Sequence, residues 1–309
     1  MKKILVTGGN GFIGNSLIPE LFKQDFEVFS LQNRPITSNG DSLKATILSC
    51  DLKDALTVRK LIRKITPDAV IHLAATSPVG YSYEHPQEVM QSNLLGTINL
   101  AEACLHEIPD VKQFLFASTS ETYGNGPNPK KEEMALNPNS PYAVSKLACE
   151  KYLNYLYAAY KFPATILRNF NTYGRTRNTN YVVERAIWQM TQGSSEILMG
   201  DPTPTRDFIY VADHISSYLS CLGNDEAIGE VFNFCTGRSV SIKELVELIS
   251  DLVGFKGKIS WHRAPKRPLD IQMLIGDYSK AKRKLGWAPR YTLEEGLKLT
   301  IQSLTHFLP

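Results

Sequence analysis

The chain has 309 residues, with 34 Lys and Arg against 31 Asp and Glu and a formal net charge of +3. That near-balance argues against a nucleic-acid binder working through bulk charge. With 43% apolar and 21% charged residues, the composition is that of a globular protein, not a disordered one. About two lobes are expected from the length, large enough to bury roughly three-quarters of the unfolded surface without covalent staples.

In chain order, residues 4–6 read as a strand, 12–23 as a helix and 28–31 as a strand. Helical spacing over 56–65 stops at Thr66-Pro67, where the proline disfavours continuation. Residues 69–73 form the next strand. Residues 88–107 form a long helix pattern with Leu94, Leu95, Ile98 and Leu100 on or near one stripe. A strand at 114–117, a helix at 142–160 and a strand at 164–167 follow. Such alternation predicts an α/β fold, a Rossmann-like doubly wound parallel sheet covered on both faces. Beyond Asn169 the alternation weakens. Helical stretches remain at 183–192, 242–253 and 293–307, with short strands at 208–211 and 231–234. The expected division is a dinucleotide-binding domain over 1–168 and a smaller mixed α/β substrate lobe over 169–309. Some later segments, the two short strands among them, are expected to return to the first domain.

Cys50, Cys104, Cys149, Cys221 and Cys235 are odd in number and widely spaced, with no C-x-x-C. Reduced, buried thiols in a cytoplasmic protein fit this pattern better than a disulfide framework or zinc site. No apolar run approaches the ~18 residues of a membrane span, and 4–6 is too short for a signal-peptide core. The six histidines do not pair with Cys or carboxylates at metal spacing, so no metal site is expected, and His72 reads as a satisfied core residue.

Gly8-Gly9-Asn10-Gly11-Phe12-Ile13-Gly14 follows the first strand and opens a helix. Gly8 allows a tight turn, Gly11 a close approach to pyrophosphate, and Gly14 close packing of helix on strand. The phosphates of a dinucleotide would sit on the helix N-terminus, with Phe12 and Ile13. The second strand ends Leu31-Gln32-Asn33-Arg34 without the carboxylate that holds an NAD ribose. Arg34, beside Asn33, could pair with a 2′-phosphate, so NADP is expected, with NAD as the alternative. Asp51 and Leu52, after the third strand, stand where the adenine could be contacted; equally, Asp51 could cap the helix from Ala55 onward.

Tyr142 and Lys146 lie one helical turn apart and share a face. A phenol is a poor base at neutral pH. A nearby ammonium and a positive nicotinamide stabilise the phenolate, which can then take a hydroxyl proton as hydride leaves the same carbon. Ser77, after the strand at 69–73, stands at a carboxyl end, where open α/β sheets bind ligands.

Together, Tyr142-Ala143-Val144-Ser145-Lys146, the 7–14 turn and His72-Leu73-Ala74-Ala75 resemble the extended short-chain dehydrogenase/reductase family acting on nucleotide sugars. Arg168-Asn169-Phe170-Asn171-Thr172-Tyr173-Gly174, Thr205-Arg206-Asp207-Phe208-Ile209-Tyr210-Val211, Phe232-Asn233 and Leu285-Gly286-Trp287 extend the resemblance over nearly the whole chain. It implies cofactor contacts at Leu73, Ala74 and Ala75 and a hydroxyl at Thr119 on the oxygen that Tyr142 deprotonates. It also implies contacts from Asn171, Arg206 and Arg267 to a nucleotide-diphosphate sugar, with Arg175 and Arg177 as weaker matches. Family 4-epimerases commonly carry a small or apolar residue where Glu121 stands, whereas 4,6-dehydratases and UDP-glucuronate decarboxylases resemble this chain. Ser120 stands where many dTDP-glucose dehydratases have Asp, a pattern similar to the GDP-mannose dehydratases. The expected activity is a nucleotide-sugar 4,6-dehydratase, with catalytic Thr119, Glu121, Tyr142 and Lys146 and with Ser77 and Ser120 near the sugar. A 4-epimerase, a decarboxylase and a 4-keto-sugar reductase are the rivals. An intact Tyr142–Lys146 pair speaks against a non-catalytic regulator. Apolar stripes on the helices at 88–107 and 142–160 point, through the resemblance, to a homodimer.

Overall fold

Segments such as Ile4-Leu5-Val6 and Phe114-Leu115-Phe116 are apolar on both faces and can only be buried on both sides, which is the environment of a central parallel strand. The computed structural model describes residues 1–33, 45–175, 181–263 and 268–305. Its first part runs β1 (Lys3–Thr7), α1 (Phe12–Phe22), β2 (Glu27–Gln32), β3 (Thr46–Ser49), α2 (Ala55–Ile65), β4 (Ala69–His72), α3 (Val79–Glu84), α4 (Pro86–Met90), α5 (Gly96–Glu107), β5 (Gln113–Thr119), α6 (Pro141–Tyr160) and β6 (Ala164–Asn169). The remainder runs β7 (Asn171–Tyr173), α7 (Val182–Thr191), β8 (Glu196–Leu198), β9 (Thr205–Arg206), β10 (Phe208–Tyr210), α8 (Val211–Cys221), β11 (Val231–Phe234), β12 (Val240–Ser241), α9 (Ile242–Val253), β13 (Lys258–Ser260), β14 (Met273–Leu274), α10 (Ser279–Leu285) and α11 (Leu293–Thr305).

The main sheet has seven strands in the order β11-β6-β5-β4-β1-β2-β3, all parallel. One apolar layer, with Leu100, Cys104, Leu153 and Phe162, covers one face. A second, with Leu17, Ile18, Phe232 and Trp287, covers the other. The strand order reverses at β1, which has β2 on one side and β4 on the other. Ligands bind at such switch points, beyond the carboxyl ends of the strands. A further core, with Val183, Ile187, Leu245 and Leu297, lies under α7, α9 and α11. Among the described residues, no helix is long and apolar enough to cross a membrane.

Three local expectations are corrected. The helix expected over 88–107 is α4, then one π turn over Gln91–Leu95, then α5. The widened turn carries Asn93 inward, where its side chain accepts from the Thr76 amide at 2.8 Å and donates to Ser145 Oγ at 2.9 Å. The segment 208–211 does not return to the large sheet: β10 pairs with β7 instead, whereas β11 does join the sheet, beside β6. Finally, α8 was not expected as a helix. Its serines obscure the helical pattern but bond back within it, as Ser216 Oγ does to Asp213 O at 2.7 Å and Ser217 Oγ to His214 O at 2.7 Å.

Candidate active site

At the end of β1 the chain must turn in very little space. Gly8 has φ +71°, and a Cβ there would stand 2.8 Å from the Ala74 nitrogen; a Cβ on Gly14 would stand 2.5 Å from Gly9 Cα. Thr7 Oγ1 accepts from the Ala74 amide at 3.2 Å and contacts His72 Nδ1 at 2.7 Å. The structure thus gathers Gly8, Gly11, Phe12, Ile13 and Gly14 beside Leu73 and Ala74. No side chain caps α1 at Gly11, and no acidic residue stands in its first turn. The leading N–H groups and the positive end of the helix dipole are left for an anion, so this end fits a dinucleotide pyrophosphate.

At the end of β2, Gln32 is buried and its amide donates to Ser30 Oγ at 3.3 Å, while Asn33 is exposed. Arg34 lies outside the described residues. Asp51 does not cap α2. That role falls to Asp54, whose carboxylate accepts from the Thr57 amide at 3.1 Å, while Asp51 turns to the Lys53 amide at 2.9 Å. Three residues separate Asp51 from Ala55, whereas an N-cap stands immediately before the first helical residue. Leu52 is buried under Gly96, where a Cβ would stand 3.2 Å from Leu52 Cβ. Ala75 is half-buried after β4, and Ser77 Oγ reaches Tyr181 Oη at 3.3 Å.

The start of α6 is fixed by Ser140, whose Oγ accepts from the Ala143 amide at 3.1 Å, with Pro141 at the first helical position. Tyr142, Lys146 and Glu150 follow at four-residue spacing on one stripe. Lys146 Nζ donates to Ala117 O at 2.8 Å and lies 4.6 Å above the Phe116 ring. Burial brings the Lys146 pKa down to about 8, opposed by Cys149 and Glu150. Thr119, at the end of β5, hydrogen-bonds Tyr142 and accepts from the Glu121 amide at 3.2 Å. Ser120–Tyr123 is a 3-10 turn, and it leaves Glu121 close enough for its charge to act on the Tyr142 phenol. The phenol is not lowered, as the Tyr-Lys spacing alone suggests. Burial pushes it up, joined by Tyr181 and Glu121 and opposed by the Thr119 hydrogen bond.

Behind this stripe, Arg168 binds both carboxylate oxygens of Glu150, with Nη2 to Oε2 at 2.7 Å. Ser118 Oγ donates to the same carboxylate. Arg168 continues to Tyr123 Oη at 2.9 Å, and Tyr123 to Asn233 Oδ1 at 2.7 Å. His72 is buried with both ring nitrogens engaged, Nδ1 by Thr7 and Nε2 by Thr97 Oγ1 at 2.9 Å.

On the substrate side, Arg206 is buried and paired with Asp270 at 3.0 Å. Arg267 and Arg177 lie outside the described residues. Ser120 is buried. The Arg175 guanidinium lies 4.3 Å from the Phe12 ring and 3.6 Å from the Tyr181 ring, and Nη1 donates to Thr172 O at 2.6 Å. Asn169 Oδ1, Asn171 Oδ1, Glu184 Oε2 and His214 Nε2 are buried without a hydrogen-bond partner among the described residues. The described residues contain no group of three His, Cys, Asp or Glu able to hold a metal. Sequence reasoning missed Glu150, Arg168 and Tyr181. The stripe that begins at Tyr142 and Lys146 extends to Glu150 and could have revealed it, whereas no local spacing marks Tyr181.

Residues 5–300 match the family model described as GDP-mannose 4,6 dehydratase. A putative UDP-glucose 4-epimerase of Methanocaldococcus jannaschii is 33% identical, the match covering 96% of this chain and 97% of that protein. The dTDP-D-glucose 4,6-dehydratase of Mus musculus is 30% identical over 97% of this chain and 88% of its own. Among solved structures, the UDP-glucose 4-epimerase of Thermotoga maritima with UDP-glucose superposes with a TM-score of 0.91 at 32% identity, covering 98% and 99% of the two chains. The UDP-glucuronic acid 4-epimerase of Bacillus cereus, in complex with UDP-glucuronic acid and NAD, gives 0.89 at 28% identity over 99% and 100%. Sequence, fold and the Tyr142–Lys146 stripe agree: the chain belongs to the extended short-chain dehydrogenase/reductase family, in its nucleotide-sugar epimerase and dehydratase group, and is an enzyme of that kind.

Proposed function

We propose that the protein is a nucleotide-sugar 4,6-dehydratase that converts a nucleotide-diphosphate hexose into its 4-keto-6-deoxy form. One observation carries this reading: Glu121 stands in the turn that directly follows Thr119, whose hydroxyl hydrogen-bonds the Tyr142 phenol and accepts from the Glu121 amide at 3.2 Å. A bound nicotinamide would supply reversible hydride acceptance and positive charge. Tyr142 Oη takes the proton of the sugar's C4 hydroxyl, with Thr119 holding that oxygen and Lys146 keeping positive charge nearby. Once C4 is a ketone the C5 hydrogen is acidic, and Glu121 removes it as the C6 hydroxyl departs. Asn171 and Arg206 are assigned to the diphosphate and sugar, and most of 169–309 to the substrate lobe.

A 4-epimerase is the second reading, favoured by the names of the Methanocaldococcus and Thermotoga relatives; that chemistry needs Tyr142, Thr119 and Lys146 but not Glu121. Purified protein incubated with GDP-, UDP- and dTDP-hexoses and with UDP-glucuronate separates the cases by product mass. Loss of one water supports the dehydratase, and unchanged mass with inverted C4 the epimerase. Glu121→Gln is expected to abolish water loss while sparing hydride exchange at C4, and unchanged turnover in that variant sinks the role assigned to Glu121.

NADP is the proposed cofactor, supported by the neutral Gln32 at the end of β2, although the Bacillus cereus neighbour holds NAD. Calorimetric titration with both cofactors decides. A homodimer is proposed through α5 and α6, supported by exposed Leu95, Val144 and Tyr155. Five free, buried cysteines support a cytoplasmic setting.

A further inference from the structure

Dehydration requires a proton donor for the departing C6 hydroxyl, and Ser120 leaves no carboxylic acid beside Glu121. A different residue stands beside this site. Tyr181 precedes α7 with an extended backbone, φ −100° and ψ 150°. Its hydroxyl is 3.3 Å from Ser77 Oγ, beyond the carboxyl end of β4. Its ring stacks at 3.6 Å on the Arg175 guanidinium, whose other ring neighbour, at 4.3 Å, is Phe12 of the glycine-rich turn. Arg175 is itself anchored by Thr172 O at 2.6 Å and by Glu184 Oε1 at 3.5 Å. Tyr181 is also near enough to influence the Tyr142 phenol, more strongly than Glu121 does.

We propose that Tyr181 is a further catalytic residue, the acid that protonates the leaving C6 hydroxyl, held toward the sugar by the Arg175 stack and by Ser77. The role rests on the dehydratase reading. Its proton balance closes within the cleft. Tyr142, as phenolate, takes the C4 hydroxyl proton. Glu121 takes the C5 proton. The C6–O bond breaks, and the leaving oxygen takes the Tyr181 phenol proton and departs as water. The Tyr181 phenolate, facing the Arg175 cation, recovers a proton from Tyr142, which returns to phenolate. Glu121 gives its proton back to C5, and a bound nicotinamide would supply C6 with the hydride it took from C4. All three side chains end as they began, because the proton that Tyr181 loses with water is replaced by the one Tyr142 took from the C4 hydroxyl. No further acid, base or oxidant is consumed.

Tyr181→Phe removes the proton donor but keeps the ring on Arg175, so the stack and the fold are expected to persist. With the nucleotide sugar that the wild-type protein dehydrates, the variant should lose water about a hundredfold more slowly. In deuterated water, the starting sugar recovered from the variant should still gain deuterium at C5, because oxidation at C4 and proton removal by Glu121 precede the missing step. Affinity for the nucleotide sugar, read by calorimetry, should change little. Wild-type rates of water loss in Tyr181→Phe would overturn the proposal and leave Glu121 to serve both steps. Loss of C5 exchange together with water loss would overturn it too, since the residue would then only shape the site. If the wild-type protein releases water from no nucleotide sugar, the dehydratase reading itself fails, and the role of Tyr181 falls with it.

Discussion

Two polar regions flank β6, and they are finished to different degrees. Behind Lys146, Glu150, Arg168, Ser118, Tyr123 and Asn233 are buried and bonded to one another, and His72 has both ring nitrogens engaged. On the other side, Asn169, Asn171, Glu184 and His214 each bury a polar atom that has no hydrogen-bond partner among the described residues. The two histidines make the contrast direct. Burial holds both imidazoles neutral, each with its pKa near 3, but His214 satisfies only Nδ1, against Thr172 Oγ1 at 2.7 Å. A buried polar atom without a partner costs stability. The first region is therefore a frame fixed by the chain itself, which holds the catalytic stripe. The second holds polar atoms that no described residue meets, which would suit a floor that receives a ligand.

The largest test of this contrast is removal of a frame residue. Glu150→Ala leaves the Arg168 guanidinium buried and unpaired and should cost about 3–5 kcal/mol in urea unfolding. Asn171→Ala, on the unfinished side, should cost less than about 1 kcal/mol while weakening nucleotide-sugar binding. Equal losses from the two substitutions would erase the distinction between the regions.

Next is the glycine turn that delivers the cofactor to the frame. Gly14→Ala drives a methyl against Gly9 Cα and Gly8 O, at 2.5 and 2.6 Å, and should cost about 1–3 kcal/mol together with cofactor affinity in a calorimetric titration. Gly80, with open space around its missing Cβ, is the control, and its alanine variant should match wild type in both measurements.

Acid sharpens the comparison with a smaller effect. His72 and His214 stay neutral in the fold because burial lowers their pKa from 6.5 to about 3. The neighbouring Lys146 acts in the same sense on His72, and Arg175 on His214. Below the unfolded value the unfolded chain binds more protons than the fold, so this stability is present above pH 6.5 and lost as pH falls toward about 3. The urea midpoint should decline across that window, and less steeply in His214→Phe. At neutral pH His214→Phe, which removes a nitrogen with no partner among the described residues, should be milder than His72→Phe, which removes the bonds to both the Thr7 and Thr97 hydroxyls. The reverse order would contradict the assignment of His72 to the finished frame.

Most of the sheet was legible because period-two and period-3.6 apolar patterns are local properties: β1, α6 and β11 lie where their residues predict. The glycine turn and the Tyr142–Lys146 pair were legible for the same reason, since their chemistry depends on neighbours within one turn. What stayed hidden depends on contacts across the chain. The π turn at Gln91–Leu95 exists because Asn93 is drawn to Thr76 and Ser145. Tyr181 reaches the cleft because Arg175, Phe12 and Ser77 converge there from three elements. The upward push on the Tyr142 phenol comes first from burial, which no spacing between Tyr and Lys encodes.

The smallest expected effect separates the two roles that the sequence left open for Asp51, one of which Asp54 takes. Asp54 holds the start of α2 through the Thr57 amide and hydroxyl, at 3.1 and 2.6 Å, and those bonds lower its pKa. Asp54→Ala frees both groups and should lower the unfolding midpoint slightly, with cofactor affinity unchanged. Asp51 contributes no cap; its carboxylate folds back on Lys53, three positions before Asp54 on the edge of the sheet where an adenine would lie. Asp51→Ala should therefore leave the midpoint alone and weaken the cofactor in the same calorimetric titration used for Gly14→Ala. The two variants form a crossed pair, one altering stability without binding and the other binding without stability. If Asp51→Ala shifts the midpoint and spares the cofactor, the carboxylate belongs to the frame, and the adenine must be held by other residues.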